Sequence, residues 1–555
     1  MTARRHQPIL FLAIVLLLAN CTPGAVVRPT ATVPAGAGTA AVGPISGGTL
    51  HYGLTLAVSG IDPHIHASSE LGIALSSVYD TLVAQDKAGS FHPYLARTWT
   101  ISDDGRTYSF ALRQDVKFHD GTPFNAAAVV RNLQRITDPK THSQKAVFLL
   151  GPFDHAEAVD PDTVKIVLKQ PYPALLDGLS QIYLGMASPA ALDKWGDQYQ
   201  LHQVGTGPFR FVSFKERNSL VLERNPDYNW APEIRGHQGP AYLDRIEFAF
   251  YADAATRLPA LLAGQADVMG ELPPNDAAQM GQTATEAGAG TKPPAITGFK
   301  LYPVPVPGQS VQFFLNTTLA PLDDLRVRRA LLYGTDRAAI VQAVFGPTSP
   351  VASGPLTVIT RGADPSLKSL YPFDLNQAKA LLAQAGWVAG KDGMLARNGQ
   401  TLVIKGIVQT WGNLPQIGTI LQAQWRSLGI DLRLEQMTYP AALEAGRGNN
   451  YHLVPFSISF TDPGQLRQFF HGGEQFNWSH IQDSQIDGWL DQAGQVNDWN
   501  KRADLYASVQ QRIMDQAWVL PIRDSVNLNA AATRVQGLSY DVQGWFPVLY
   551  DVWLK

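Results

Sequence analysis

The sequence predicts a mixed α/β protein built from more than one lobe, and three observations carry that prediction. A chain of 555 residues exceeds a single core, because one domain usually takes roughly 100–200 residues. Apolar residues make up 45% and charged residues 16%, the latter well under the usual ~25%, so neither a disordered nor a coiled-coil chain fits. Segments with an apolar residue at every second position also recur between segments of helical spacing.

In chain order, a strand over 49–56 leads through a loop to a helix carrying Leu75, Val78 and Leu82. Alternation marks strands at Tyr108, Phe110 and Leu112, at Val164, Ile166 and Leu168, and at Ile246, Phe248 and Phe250. From Val311 a strand precedes a helix opened by Asp323 or Asp324, with Val327, Ala330 and Leu331 on one face. Asp336 opens the next (Ile340, Val341, Val344), and Asp374 opens a third (Ala378, Leu381, Leu382, Ala385) that Gly386 ends. Strands at 402–408 and 430–434 flank one more helix, so this half reads as an α/β lobe around a mostly parallel sheet. Leu505, Val509, Ile513 and Ala517 stripe a last long helix, and residues 520–527 lead into a short tail.

At the N-terminus, Arg4 and Arg5 precede an apolar run over 9–19, well short of the roughly 20 residues that span a bilayer as a helix. The run reads as an export signal. It stops at Leu18-Ala19-Asn20-Cys21, which resembles the bacterial lipobox, where a signal peptidase cuts before an acylated cysteine. Asn20 departs from the small residue usual before that cut, and the alternative is an ordinary signal peptide with a chance cysteine. Cys21 is the only cysteine, which excludes internal disulfides, CxxC redox chemistry and thiolate zinc sites. Residues 22–48 are mainly Ala, Gly, Pro and Thr and cannot bury a core. The expectation is a signal peptide over 1–20 and a flexible tether over 21–48, with the body held at a membrane by the lipidated Cys21. A net charge of -3 without a basic run argues against nucleic acid as a partner.

Further segments stand in a fixed order. Val78-Tyr79-Asp80-Thr81-Leu82 is followed by Ala96-Arg97-Thr98-Trp99, by Asp103-Asp104-Gly105 and by Phe118-His119-Asp120-Gly121-Thr122-Pro123-Phe124. Gly205-Thr206-Gly207-Pro208-Phe209, Arg224-Asn225-Pro226-Asp227-Tyr228 and Asp324-Leu325-Arg326-Val327-Arg328-Arg329-Ala330-Leu331 come after them. Physically these are mostly turns and close backbone approaches of a scaffold. Taken together, over nearly all of 48–555, the chain resembles the large extracytoplasmic solute-binding proteins of ABC importers (family 5), which include oligopeptide, dipeptide and nickel binders.

The resemblance implies an α/β, two-lobe periplasmic-binding-protein-like fold (type II, large cluster C) with an extra subdomain in lobe I. Lobe I would comprise 49–310 and 520–555, lobe II 311–519, with crossings near 305–312 and 520–526. It implies an exported, lipid-anchored monomer at the cell membrane, facing the periplasm or cell exterior. That protein would capture a peptide or similar extended polar organic solute by closing two lobes and deliver it unaltered to the permease subunits. Oligosaccharide and metal or metallophore are alternative solutes within the family, and an exported hydrolase is the remote alternative.

Candidate contacts follow from the same resemblance. Peptide-binding relatives hold the ligand's α-ammonium on an aspartate three positions before an Asp-Pro or Glu-Pro pair. Here the pair is Asp462-Pro463 and the earlier position is Ser459, so the anchor is missing there, with Asp462 as a possible substitute or simply a helix cap. The loop where dipeptide-binding relatives place an arginine for the carboxylate is Gln409-Thr410-Trp411-Gly412-Asn413, which holds no cation. Two missing charges weigh against a dipeptide held by both ends. Thr410, Trp411, Phe456 and Phe460 remain as contacts around a large cleft, with core packing the alternative for each aromatic. His66, Ser68 and Glu70 occupy the loop after the first strand, where Glu70 would face a cationic group or else solvent. His64 and His66 share a face at HxH spacing but supply only two ligands, so no metal site is assigned. GxSxG, HExxH and Walker patterns do not occur, and no catalytic residue or cofactor is assigned.

Overall fold

The structure, a computed structural model, describes residues 43–56, 61–66, 68–280, 296–390, 393–409 and 413–555. The expected signal peptide, Cys21 and most of the tether lie outside the described residues. Among those described, no helix is long and apolar enough to cross a membrane.

A seven-stranded sheet has Thr49–Leu54 near its centre, paired in parallel with Arg245–Phe250 on one side and with Val268–Met269 on the other. The chain's C-terminal part closes that sheet, because Val526–Ala532 inserts between Val268–Met269 and Phe299–Pro305. A four-stranded antiparallel sheet, Ala96–Ile101, Thr107–Leu112, Thr163–Leu168 and Phe153–Asp160, packs into the same core. Its strands show the predicted alternation: Tyr108, Phe110 and Leu112 point inward and their neighbours are half-buried.

The second sheet runs Asp431–Met437, Val403–Gln409, Leu453–Phe456, Val311–Leu315, Val519–Arg523. It is mixed rather than mostly parallel. Two of its pairings are parallel, and Val311–Leu315 lies antiparallel to both its neighbours. The cause is connectivity: one strand brings the chain in from the first sheet and its neighbour takes the chain back, so the two must oppose. The predicted Asp caps are in place. Asp324 accepts from Arg326 N at 2.9 Å, Asp336 from Ala339 N at 2.9 Å, and Asp374 from Asn376 and Gln377 N at 2.9 Å.

The helix expected through Val78 and Leu82 stops at Leu75. Beyond it, Ser77 and Val78 carbonyls accept from Phe209 N and Gly207 N, both at 2.9 Å, so the backbone is engaged by a distant segment instead of its own next turn. Asp80 is thereby buried and accepts from Thr206 and Trp230 at 2.9 and 2.8 Å and from the Tyr94 hydroxyl.

Among the described residues two large hydrophobic cores divide the chain, with a smaller third cluster around Leu261, Met269 and Leu528. The buried members of one, among them Tyr52, Phe110, Phe248 and Leu549, skip residues 269–530, whereas those of the other, among them Phe314, Trp425 and Trp478, fall within 311–522. Residues 306–310 and 524–525 are the crossings between them. Val519–Arg523, placed across a lobe boundary by the sequence, belongs entirely to the second sheet. At Gly308 the backbone takes φ +125°, and a Cβ there would stand 2.2 Å from the Ile458 carbonyl oxygen.

The lobes also touch away from the crossings. Arg361 of the second lobe donates to the Gly89 carbonyl at 3.2 Å. Thr461 donates to Asp177 on the first-lobe helix Leu175–Ser180, whose other oxygen accepts from Gln181 at 3.0 Å. Asp462 and its partner Arg502, 2.7 Å away, stand behind Thr461. Burial, and next the Asp462 carboxylate, push the Asp177 carboxyl up to about 7.

Two outcomes are expected. Gly308→Ala lowers the urea midpoint by the equivalent of at least about 1–3 kcal/mol, the strain of a side chain in that conformation; an unchanged midpoint would show that the crossing accommodates it. Because Asp177 binds its proton more tightly when buried, its ionisation works against the closed fold increasingly as pH rises from about 4 to about 7 and constantly above that. Asp177→Asn therefore raises Tm at pH 8 and changes it little at pH 4, and a lower Tm at pH 8 would contradict this.

Candidate functional site

Both crossings and both lobes contribute walls to a cavity of about 880 Å³. Its first-lobe wall follows from sheet register. Gly53 lies opposite Met269 in the parallel pair, so the two strands end side by side and deliver Thr55 and Glu271 to the same rim. The loop after Thr49–Leu54 returns at Ser68, and Glu70 sits in the first turn of the helix Ser69–Leu75.

Glu70 is buried. Its oxygens accept from Thr55 N at 2.9 Å and from the Thr55 hydroxyl at 2.8 Å, while Glu271 lies 3.3 Å from the same hydroxyl. One hydroxyl has one proton, so it cannot donate to both carboxylates. Burial, then the Glu271 charge, pushes the Glu70 carboxyl up to about 7, and burial likewise raises Glu271. Arg257 offers limited relief, since its guanidinium donates to the carbonyls of Tyr251 and Glu271 at 3.0 and 2.7 Å. Among the described residues no cation comes within the 4.0 Å of an ion pair with either carboxylate.

The opposite wall comes from the second sheet. Gln409 and Phe456 end adjacent strands, Ser459 bridges to Gly308 of the crossing, and Arg523 ends Val519–Arg523. Gln309, Gln409, Arg523 and Trp545 all line the cavity, and each keeps a buried side-chain polar atom without a protein partner. Native interiors rarely leave such atoms unsatisfied, and their concentration around one cavity suits a polar guest.

Of the residues expected from the sequence, Ser68, Glu70, Phe456 and Ser459 meet at this cavity. Thr410 and Trp411 lie outside the described residues. Three stand off its walls. His66 lies half-buried in a turn whose backbone bonds to Asp62, and its neighbour His64 is wholly buried between the Gly185 carbonyl and Arg135, both at 2.9 Å. Phe460 packs into the second core. Asp462 caps the turn Pro463–Gln465, accepting from Gly464 N at 2.8 Å, and pairs with Arg502. Sequence reasoning missed Glu271, Gln309, Arg523 and Trp545. The available signal was a charged residue directly following a buried strand, as in Val268-Met269-Gly270-Glu271 and Pro521-Ile522-Arg523.

With this geometry in place, known proteins can be compared. The family described as bacterial extracellular solute-binding proteins, family 5, middle, matches residues 90–478. The glutathione-binding protein GsiB of Shigella dysenteriae is 30% identical over 477 residues, covering 83% of this chain and 86% of the relative. Among solved structures, NikA from Brucella suis in complex with Fe(III)-EDTA superposes with a TM-score of 0.80 at 24% identity, over 92% of this chain and all of that one. HbpA2 from Haemophilus parasuis gives 0.78 at 27% identity, with 92% of this chain and 100% of that one covered. The family match spans well over half the chain, and the fold likeness agrees with it, so this chain belongs to the bacterial extracellular solute-binding proteins of family 5.

Proposed function

We propose that the cavity captures a short peptide or peptide-like solute, of which glutathione is one example, with the solute's ammonium group held by Glu70 and Glu271. The observation that carries this reading is the pair itself: a buried and a half-buried carboxylate sharing one hydroxyl at the cavity rim, with no ion pair to either among the described residues. An ammonium would supply the missing charge and several donors at once. Because the guest touches walls belonging to both lobes, it favours their closed arrangement through contacts that an open arrangement lacks. Closure requires no bond to break, and the solute passes unaltered to an ABC permease. Lobe I then comprises 49–310 with the C-terminal strands, and lobe II the intervening segment. The likeness to glutathione-binding relatives supports a peptide-like guest. Export and acylation at Cys21 would hold the monomeric receptor beside its permease.

Glu70→Gln weakens glutathione binding tenfold or more at pH 8, which is about 1.4 kcal/mol and at the low end for a hydrogen bond to a charged group. With the Glu70 carboxyl at about 7, the wild-type side chain is protonated at pH 5 and already resembles Gln, so the gap between wild type and variant shrinks there. Titration calorimetry at both values checks this, and a gap that is absent or equal at the two would remove Glu70 from the site. Cys21→Ser moves the protein from the membrane fraction to the soluble one; retention at the membrane would end the lipid-anchor reading.

A further inference from the structure

Arg523 is the last residue of its strand, directly before the returning crossing, and it lines the cavity. Its guanidinium carbon stands 3.9 Å from the centre of the Phe345 ring. One terminal nitrogen donates to Ser349 Oγ at 3.1 Å and to the Asp524 carbonyl at 3.3 Å, while Nε has no partner. No carboxylate among the described residues comes within the 4.0 Å of an ion pair. The adjacent Asp524 carboxylate accepts from Val358 N at 2.9 Å through one oxygen and makes no ion pair with Arg523.

Other buried arginines are treated differently. Arg135 and Arg502 pair with Asp62 and Asp462 at 2.6 and 2.7 Å. Arg328 and Arg337 direct their donors onto backbone carbonyls of Leu322, Gln516, Ala352 and Tyr371. Arg523 has no ion pair and only the one long carbonyl contact to Asp524, and burial lowers its affinity for the proton only to about 10, which leaves it charged at neutral pH. A half-buried cation with a buried, unused donor on the wall of a cavity, and no ion pair among the described residues, can receive an anion. Across that cavity, on the first-lobe wall, stand Glu70 and Glu271, which lack a cation. The first-lobe wall thus carries two carboxylates against one guanidinium, Arg257, whose donors are taken up by backbone carbonyls, and the second-lobe wall carries Arg523.

We infer that Arg523 is the specificity-determining anchor for the solute's carboxylate, so that the guest is a compact zwitterion spanning the lobes, its ammonium on the acidic pair and its carboxylate on the guanidinium. This rests on the ammonium assignment for Glu70 and Glu271 and adds the second end of the solute. It also accounts for the two charges missing from the positions where relatives carry them: the acid and the base are present on other elements. Gln309 and Gln409, whose amide groups retain unpartnered atoms, stand at the same cavity and match the donors and acceptors of a peptide backbone between the two ends.

The test offers the full-length mature protein an equimolar mixture of di- to pentapeptides, each as free acid, as C-terminal amide and as N-acetylated free acid, together with glutathione and its diethyl ester, and reads retention by native mass spectrometry. Wild type is expected to retain free acids over amides and ester at least tenfold, and Arg523→Gln to lose that preference while still discriminating N-acetylated from free amines. Arg523→Lys, which keeps the charge without the planar fork, should recover part of it. Equal retention of acid and amide by wild type, or a preference that survives in Arg523→Gln, overturns the role of Arg523 and leaves the ammonium reading standing. Loss of discrimination between free and acetylated amines in wild type instead overturns the ammonium reading. Retention of no probe at millimolar concentration overturns both. Should Arg523→Gln fail to fold, the wild-type comparison of acid with amide decides alone.

Discussion

The two lobes are joined through a single antiparallel ribbon that changes sheets halfway along. In the first sheet Phe299–Pro305 pairs with Val526–Ala532 as far as Pro305 opposite Val526; in the second the pairing resumes at Val311 opposite Arg523. Between those positions one strand has five residues and the other two. Unequal lengths cannot remain in a flat ladder, so the ribbon bends, with Val306 N still bonded to the Ser525 carbonyl at 2.9 Å and Gly308 adopting a conformation that side chains resist. The cavity lies at this bend. Any rotation of the lobes is concentrated in these few residues, and several of them, Val306, Gln309, Arg523 and Ser525, line the cavity.

This placement makes the electrostatics of the cavity a property of lobe arrangement. The chain carries little charge for its size, and most of its buried charges are satisfied within one lobe: Asp62 with Arg135 in the first, Asp462 with Arg502 in the second. Glu70, Glu271 and Arg523, which make no ion pair among the described residues, are gathered at the cavity. Neighbouring partners within the same lobe would have neutralised them without a guest. Divided between lobes, their charges are best compensated by one molecule that reaches both walls, and the free energy of that compensation is available to the closed arrangement alone.

Much of the scaffold was legible in the sequence because it rests on local rules. Alternation located the strands at Tyr108 and Val164, and the Asp caps at 336 and 374 located two helix starts to the residue and the cap at 323 or 324 a third to within one. Periodicity failed at Val78 and Leu82, which are buried at helical spacing but by contacts with residues 205–209, a constraint invisible to a local window. The mixed direction of the second sheet followed from where the chain crosses, again a long-range matter. Half of the site was readable for the same reason: Ser68 and Glu70 follow the first strand directly, whereas Glu271 and Arg523 reach the cavity only through sheet pairings that join residues more than 200 apart in the chain. Asp462 looked like an anchor because of its sequence context, yet Arg502 and its own capping bond use both of its roles.

Protons tie closure to loading in opposite senses. Asp177 is buried and accepts from Thr461 of the second lobe, and burial raises its affinity for a proton, so the arrangement described is favoured by acid. Asp462, Arg502, Lys145 and Arg361 set its surroundings, and burial outweighs the attraction of the cations. An ammonium arriving between Glu70 and Glu271 acts the other way, since it stabilises the ionised carboxylates and expels the proton that burial had retained there. Loading the empty open protein and shutting it thus releases protons at one position and takes up protons at another, with both carboxyls near 7.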